Sequence, residues 1–512
     1  MKKISILFGT LCMVIGAISC KKDYLQKDPL AQLSENTFYK TQGDLDLALN
    51  GCYNFLVRGA NATSVGASAA GVGGAYMLWE TLTDNAYTNS SSGALGTVTL
   101  GQYESTSGGI LRDMYDYSYD AIAASNLFIA KSANVQLADA TKKTYIAEAR
   151  FLRAYHYFLL TQLYGDVVLT TQPLSFDQTS IKKERTAKSI VVDTILADLD
   201  YAISNLPSSS YTGHAVRGTA QAYKAKVLLT NGRFAEAATV AKAIIDGKTF
   251  SLYSNYGAMF LKAGQSGNNE IMFSARFLPP NLYSQQDWLM SYDGALALQP
   301  MRYLVNDFEC TDGLPISTSP LYNSANPYLN RDPRLKLTVI TPGDFRAPSS
   351  NPFVPNSTTL FLTRKGVDPS RYPTSYSTQS DQDFILMRYA DVLLMYAEAQ
   401  NESSGPDASV YTAVNLVRQR PGIGMPALAP GLSQADMRVR IRHERRVEFG
   451  MEGQRFFELK RWNTEKDVIP TITNPNGVTR VWQSRNVLWP IPRSEQDIMA
   501  SLGVSNFQNT GY

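Results

Sequence analysis

The chain has 512 residues, 48 of them Lys or Arg and 45 Asp or Glu, for a formal charge of +3 at pH 7. That length exceeds one small core, and the near-neutral balance leaves no electrostatic footprint for nucleic acid. Four cysteines and three scattered histidines (His156, His214, His443) offer no metal-cluster spacing.

Met1 to Ser19 reads as an export signal. Lys2 and Lys3 form its basic start, Ile4 to Ile18 its apolar run, and small residues precede the cut. The run is shorter than the about 20 residues a membrane-spanning helix needs. Ala17-Ile18-Ser19-Cys20 resembles a bacterial lipobox, with Ala17 where that pattern prefers Leu. On this reading Cys20 is acylated and tethers the mature chain to a membrane, outside the cytoplasm. An ordinary secretory signal cut nearby is the alternative. Cys52 and Cys310 then remain. Cys52 falls on a helical stripe and reads as a small core residue, with a Cys52–Cys310 disulfide as the alternative in an oxidising compartment.

Helical periodicity dominates the mature chain. Asp44 to Val57 predicts a helix with Leu45, Leu49, Cys52, Tyr53 and Leu56 on one side. Gly109 to Ala130 and Lys142 to Tyr164 predict two more, the latter stopped by Gly165. Ala187 to Asn205 is a fourth, with Pro207 beyond its end. Thr219 to Thr230, Asn231-Gly232 and Phe234 to Ile245 form a helix, a turn and a returning helix. Ala225, Leu228, Gly232, Phe234, Ala237 and Ala241 stand where a tetratricopeptide repeat wants small, large, turn, aromatic, small and packing residues. Tyr389 to Asn401 and Asp407 to Arg420 predict another such hairpin. The expected fold is mainly α: a short helical-repeat solenoid over roughly 110–250 and 384–420. Two irregular insertions interrupt it, roughly 60–110 and 277–383, both long enough to be functional.

Ile441 to Trp462 reads IRHERRVEFGMEGQRFFELKRW. Drawn as one helix, it aligns Glu444, Glu448 and Glu452 at four-residue steps. Like charges so spaced destabilise an isolated helix, so the stripe requires partners from elsewhere. Local relief is expected from Arg445–Glu448 and Glu452–Arg455. An ion-pair network is favoured over a carboxylate catalytic site, since each acid has an arginine within reach that lowers its pKa.

This segment resembles the C-terminal signature of the SusD/RagB family of outer-membrane nutrient-binding lipoproteins. Phe151-Leu152-Arg153-Ala154 through Tyr164-Gly165-Asp166 resembles that family's first long repeat helix. Asp312-Gly313, Arg331-Asp332-Pro333-Arg334-Leu335 and Arg388-Tyr389-Ala390 through Ala397-Glu398-Ala399 match further motifs. Pro490-Ile491-Pro492 to Gln508-Asn509-Thr510-Gly511-Tyr512 resembles its tail, with Thr510 where proline is usual. The resemblance implies one such domain over 20–512, with its family motif at 441–512. It also implies a tetratricopeptide-like scaffold, no catalysis and no cofactor. The protein is expected on the outer face of the outer membrane, delivering an oligosaccharide to a SusC-type TonB-dependent transporter. Peptide cargo is known in the family, and a surface glycan hydrolase or a pure protein–protein scaffold are the rival readings.

A sugar site needs aromatic rings for C–H faces and Asn, Asp, Gln or Arg for hydroxyls. Two clusters supply both: Trp79, Asp84, Asn85 and Tyr87 in the first insertion, and Tyr283, Gln286, Asp287, Trp288 and Tyr292 in the second. The alternatives are that Trp79 and Trp288 anchor their loops in the core and that Asp84-Asn85 is a turn. Glu80, Asp84 and Asp287 are the acids a hydrolase would use. Trp462, Trp482 and Trp489 lie among framework motifs and read as structural.

Overall fold

The computed structural model describes residues 38–60, 75–89, 94–175, 182–291, 298–355, 360–375 and 377–512. The signal, Cys20 and Tyr292 lie outside the described residues. The expected helices form: α1 (Gln42–Ala60), α2 (Ile110–Ser132), α3 (Asp139–Tyr164), α4 (Lys188–Asn205), α5 (Arg217–Thr230), α6 (Phe234–Gly247), α7 (Tyr389–Ser404) and α8 (Ala408–Arg418). Each packs on the next, including α6 on α7 across the whole second insertion. Small side chains permit the close approach: Ala225, Ala237, Ala241, Ala390 and Ala397 are all buried. Gly232, at φ +74°, reverses the chain between α5 and α6. At the end of α3, Gly165 adopts φ +74°, a backbone conformation that favours glycine. Asp407 caps α8 by accepting from the Ser409 and Val410 amides.

The strands are short. β1 (Ala86–Tyr87) pairs antiparallel with β3 (Gln299–Pro300), β2 (Ile271–Ala275) with β6 (Phe384–Arg388), and β4 (Val339–Ile340) with β5 (Leu362–Thr363). The β2–β6 pair closes the base of the second insertion, and Arg388 leads directly into α7. Among the described residues no helix is long and apolar enough to cross a membrane. Cys52 and Cys310 are both buried free thiols, so the alternative disulfide is not formed.

The signature segment departs from the single helix expected. α9 (Gln434–Glu448) ends at Glu448, the chain turns through Met451 (φ +66°) and Gly453 (φ +75°), and α10 (Arg455–Arg461) comes next. Glu444 and Glu448 keep the helical stripe, while Glu452 joins them from the turn. Their partners come from far along the chain. Arg334 bridges Glu444 (2.6 Å) and Glu448 (2.9 Å), Arg418 takes Glu444 (2.7 Å), and Arg420 takes Glu448 (2.7 Å). Glu452 pairs with Arg388 (2.8 Å) and Lys365 (2.9 Å). Neither expected local pair forms. Arg445 goes to Asp391 and Glu458 (2.7 Å each) while Glu448, on the same helix, is taken by distant arginines; beyond the turn, Arg455 goes to Asp84 (3.0 Å). These charges are buried and matched, the condition under which such a cluster is tolerated.

Candidate ligand-binding cleft

Residues 75–89 form a compact knot. The Trp79 ring stacks on Phe456 (centroids 5.4 Å) and Trp489 (5.5 Å) and meets Phe457 edge-on (5.1 Å). Glu80 is fully buried, accepting from the Gly453 amide (2.6 Å) and Asn85 Nδ2 (2.7 Å). Burial pushes the Glu80 carboxyl up to about 7 against those hydrogen bonds. Gly453 must be glycine, since a Cβ would lie 2.0 Å from the Tyr76 carbonyl oxygen. Asp84 pairs with Arg446 (2.9 Å) and Arg455 (3.0 Å). Burial raises its carboxyl, but the two arginines outweigh that and hold it at about 2. The next turn leads into β1, and Met301 N–H donates to Asn85 O at 2.8 Å.

Arg480, which sequence reasoning missed, ties this knot to the C-terminal hairpin. Its guanidinium donates to the carbonyls of Thr81 (2.8 Å), Thr83 (2.7 Å) and Ala86 (3.2 Å), while Nε donates to Asn474 Oδ1 (2.8 Å). Burial lowers it to about 10. Its single-residue signal in sequence is no more than an arginine in a polar turn.

Beside β3 opens a cleft of about 730 Å³, within the usual size for a small-molecule site. The short helix Arg302–Asp307 supplies Arg302, Tyr303 and Asn306; Phe361 stands next to β5; the Thr473–Thr479 turn supplies Asn474. Tyr303 is held from both sides, its hydroxyl donating to Thr471 O (3.3 Å) and accepting from the Thr473 amide (3.2 Å). Among the described residues, no hydrogen bond or ion pair engages the side chains of Arg302 or Asn306, nor Asn474 Nδ2. The described lining includes no Asp or Glu.

None of the described candidate residues lines this cleft. Tyr87 comes nearest, buried with Met301 and Ile472 in a small cluster against Tyr303. Trp79, Asp84 and Asn85 are buried and committed as above, so the anchoring and turn readings describe them. Asp287 is also buried, accepting from the Asp368 amide (2.6 Å) and Gln382 Nε2 (2.8 Å); burial raises its carboxyl. Trp288 is half-buried against the main core, and Tyr283 is half-buried in the preceding segment. The two predicted clusters therefore do not share a wall. The short helix Gln286–Ser291 packs on β5, β5 on β3, and β3 pairs with β1. The three acids a hydrolase would need are spent inside the protein. Trp489 is buried, and Trp462 Nε1 donates to Glu398 (2.7 Å), as framework residues do. Among the described residues no cluster of His, Cys, Asp or Glu could hold a metal ion.

A stack of antiparallel repeat helices with long irregular insertions is the fold of SusD-like proteins. The chain belongs to the SusD/RagB family: the model described as "SusD family" matches residues 259–512, and one described as "Starch-binding associating with outer membrane" matches 24–229. A "SusD-like protein P2" of Formosa agariphila is 25% identical, covering 97% of each chain. A solved SusD-like carbohydrate-binding protein of Bacteroides fragilis superposes with a TM-score of 0.80 at 23% identity, over 90% of this chain and 99% of that one. A laminarin-binding SusD-like protein superposes at 0.73 with 20% identity, over 93% and 100%.

Proposed function

We propose that the protein captures an oligosaccharide in the cleft beside β3 and passes it to a SusC-type TonB-dependent transporter. A lipid on Cys20 would hold it on the outer face of the outer membrane. The carrying observation is the cleft's composition. Tyr303 offers ring surface, and the exposed Arg302 and Asn306 offer uncommitted donors and acceptors for hydroxyls. The lack of a carboxylate in the described lining favours holding a glycan over cleaving it, since hydrolysis needs a pair of acids across the bond. The half-buried Tyr283 and Trp288 would serve a ligand that extends over the second insertion. Relatives described as carbohydrate- and laminarin-binding support the ligand class.

The test is calorimetric titration of the chain starting just after Cys20 with plant, fungal and host oligosaccharides. Saturable binding without products on chromatography is expected. A folded protein that binds no glycan but takes peptides would replace the cargo.

A further inference from the structure

A second pocket, of about 140 Å³, lies beside the β4–β5 pair. Leu261, Leu337, Ile340 and Val367 give it apolar walls, and the charges among its described lining are Arg346 and Arg364. Arg346 is held over the Phe353 ring at 5.2 Å. Arg364 donates from Nη2 to Phe345 O at 3.0 Å. Its Nε is enclosed and has no hydrogen-bond partner, and no ion pair engages it among the described residues. The acid acting on it is Asp344, already committed to the Thr341 amide (2.9 Å) and hydroxyl (2.7 Å). Asp344 also faces Lys336 (3.7 Å), so Arg364 is a half-buried guanidinium with no direct ion pair of its own among the described residues. Its planar fork matches a carboxylate or sulfate in two-point contact. Apolar walls around such a fork suit the C–H face of a sugar ring.

We propose that this pocket is a subsite for an oxyanion carried on a sugar, a uronate carboxylate or a sulfate ester, held by Arg364 with Arg346 beside it. The anion chemistry stands apart from the cleft; only its assignment to a sugar rests on the glycan-binding reading. The experiment titrates the chain starting after Cys20 with an oligogalacturonate, an O-sulfated galactan oligosaccharide, a neutral glucan oligosaccharide, and inorganic sulfate alone. At least one acidic oligosaccharide should bind. Arg364→Gln should weaken it by at least about tenfold, with partial rescue in Arg364→Lys, and leave any neutral-glycan binding unchanged. Gly257→Val narrows the pocket and keeps its charge. Gly257 has an ordinary φ of −67°, and its added Cβ would meet the flexible Leu337 Cδ2 at 3.2 Å. This variant should weaken the same ligand. Acidic sugars bound equally by wild type and folded Arg364→Gln would overturn the proposal. So would binding of inorganic sulfate without any acidic sugar, or no acidic ligand at all. Acidic binding that Arg364→Gln weakens and Tyr303→Ala leaves unchanged would sink the cleft reading and leave this one standing.

Discussion

Arg388 Nη1 donates to Glu448 Oε1 at 2.6 Å, joining the strand that enters α7 to the last turn of α9. The same guanidinium reaches Glu452 (2.8 Å) and Glu270 (2.9 Å), while Glu448 also takes Arg334 and Arg420. Cations and carboxylates interleave, so no charge is left alone. Truncating one member strands its partners in a medium that solvates them poorly. Arg388→Met should therefore cost about 3–5 kcal/mol in urea unfolding. Arg493→Ala, which removes an exposed pair with Asp497, should change stability by no more than about 0.5 kcal/mol. Equal unfolding midpoints for the two variants would mean the network contributes no net stability.

Trp79 should behave as a core residue. Trp79→Ala opens a cavity between Phe456, Phe457 and Trp489 and should cost about 3–5 kcal/mol. The milder Trp79→Phe should keep glycan affinity within about twofold of wild type by calorimetry. A folded Trp79→Phe that had lost binding would return Trp79 to the ligand site.

Tyr303 should behave in the opposite way. It lines the cleft, its hydroxyl bonds the exposed Thr471 and Thr473, and its ring packs against the small cluster of Tyr87, Met301 and Ile472. Tyr303→Ala should reduce oligosaccharide affinity by about tenfold or more in a protein that still folds, with a stability cost smaller than that of Trp79→Ala. Asn306→Ala should act in the same direction more weakly. Unchanged affinity in both variants would move the glycan to another surface.

Stability should peak near about pH 5. Burial raises Glu458, but Arg445 and Arg461 outweigh it and hold the carboxyl at about 2; Asp84 is likewise held at about 2. Their folded values lie below the ordinary 4.5 and 3.8, so their contribution is present above those values and lost as pH falls through about 2. Glu80 has the opposite sign. Raised by burial from 4.5 to about 7, it contributes below 4.5 and loses that contribution as pH rises through about 7. His214, raised by its hydrogen bond to Glu148, adds to the fall on the alkaline side. Urea unfolding from about pH 2 to about pH 8 checks this. Glu80→Gln should flatten the slope between about pH 5 and about pH 8; an unaltered slope would place that titration elsewhere.

The repeat scaffold was legible in sequence because helical periodicity is a local property. Residues three and four apart share a face whatever lies beyond them, and α1 through α8 begin and end within a few residues of the stretches the pattern marks. The demand of the Glu444–Glu448 stripe for outside partners was legible for the same reason. Which partners answer it was not. Arg334 lies 110 residues from Glu444, and Asp84 lies 371 from Arg455. Burial of Trp79 and Asp84, and the gathering of Arg302, Tyr303 and Asn474 into one cleft, depend on such distant contacts. The sequence by itself determined the helices, the turns that reverse them and the family they resemble, since each is written in short-range spacing. Only the tertiary structure decided which aromatic and charged side chains stay within reach of a ligand, because exposure is set by whatever packs against a residue from far along the chain.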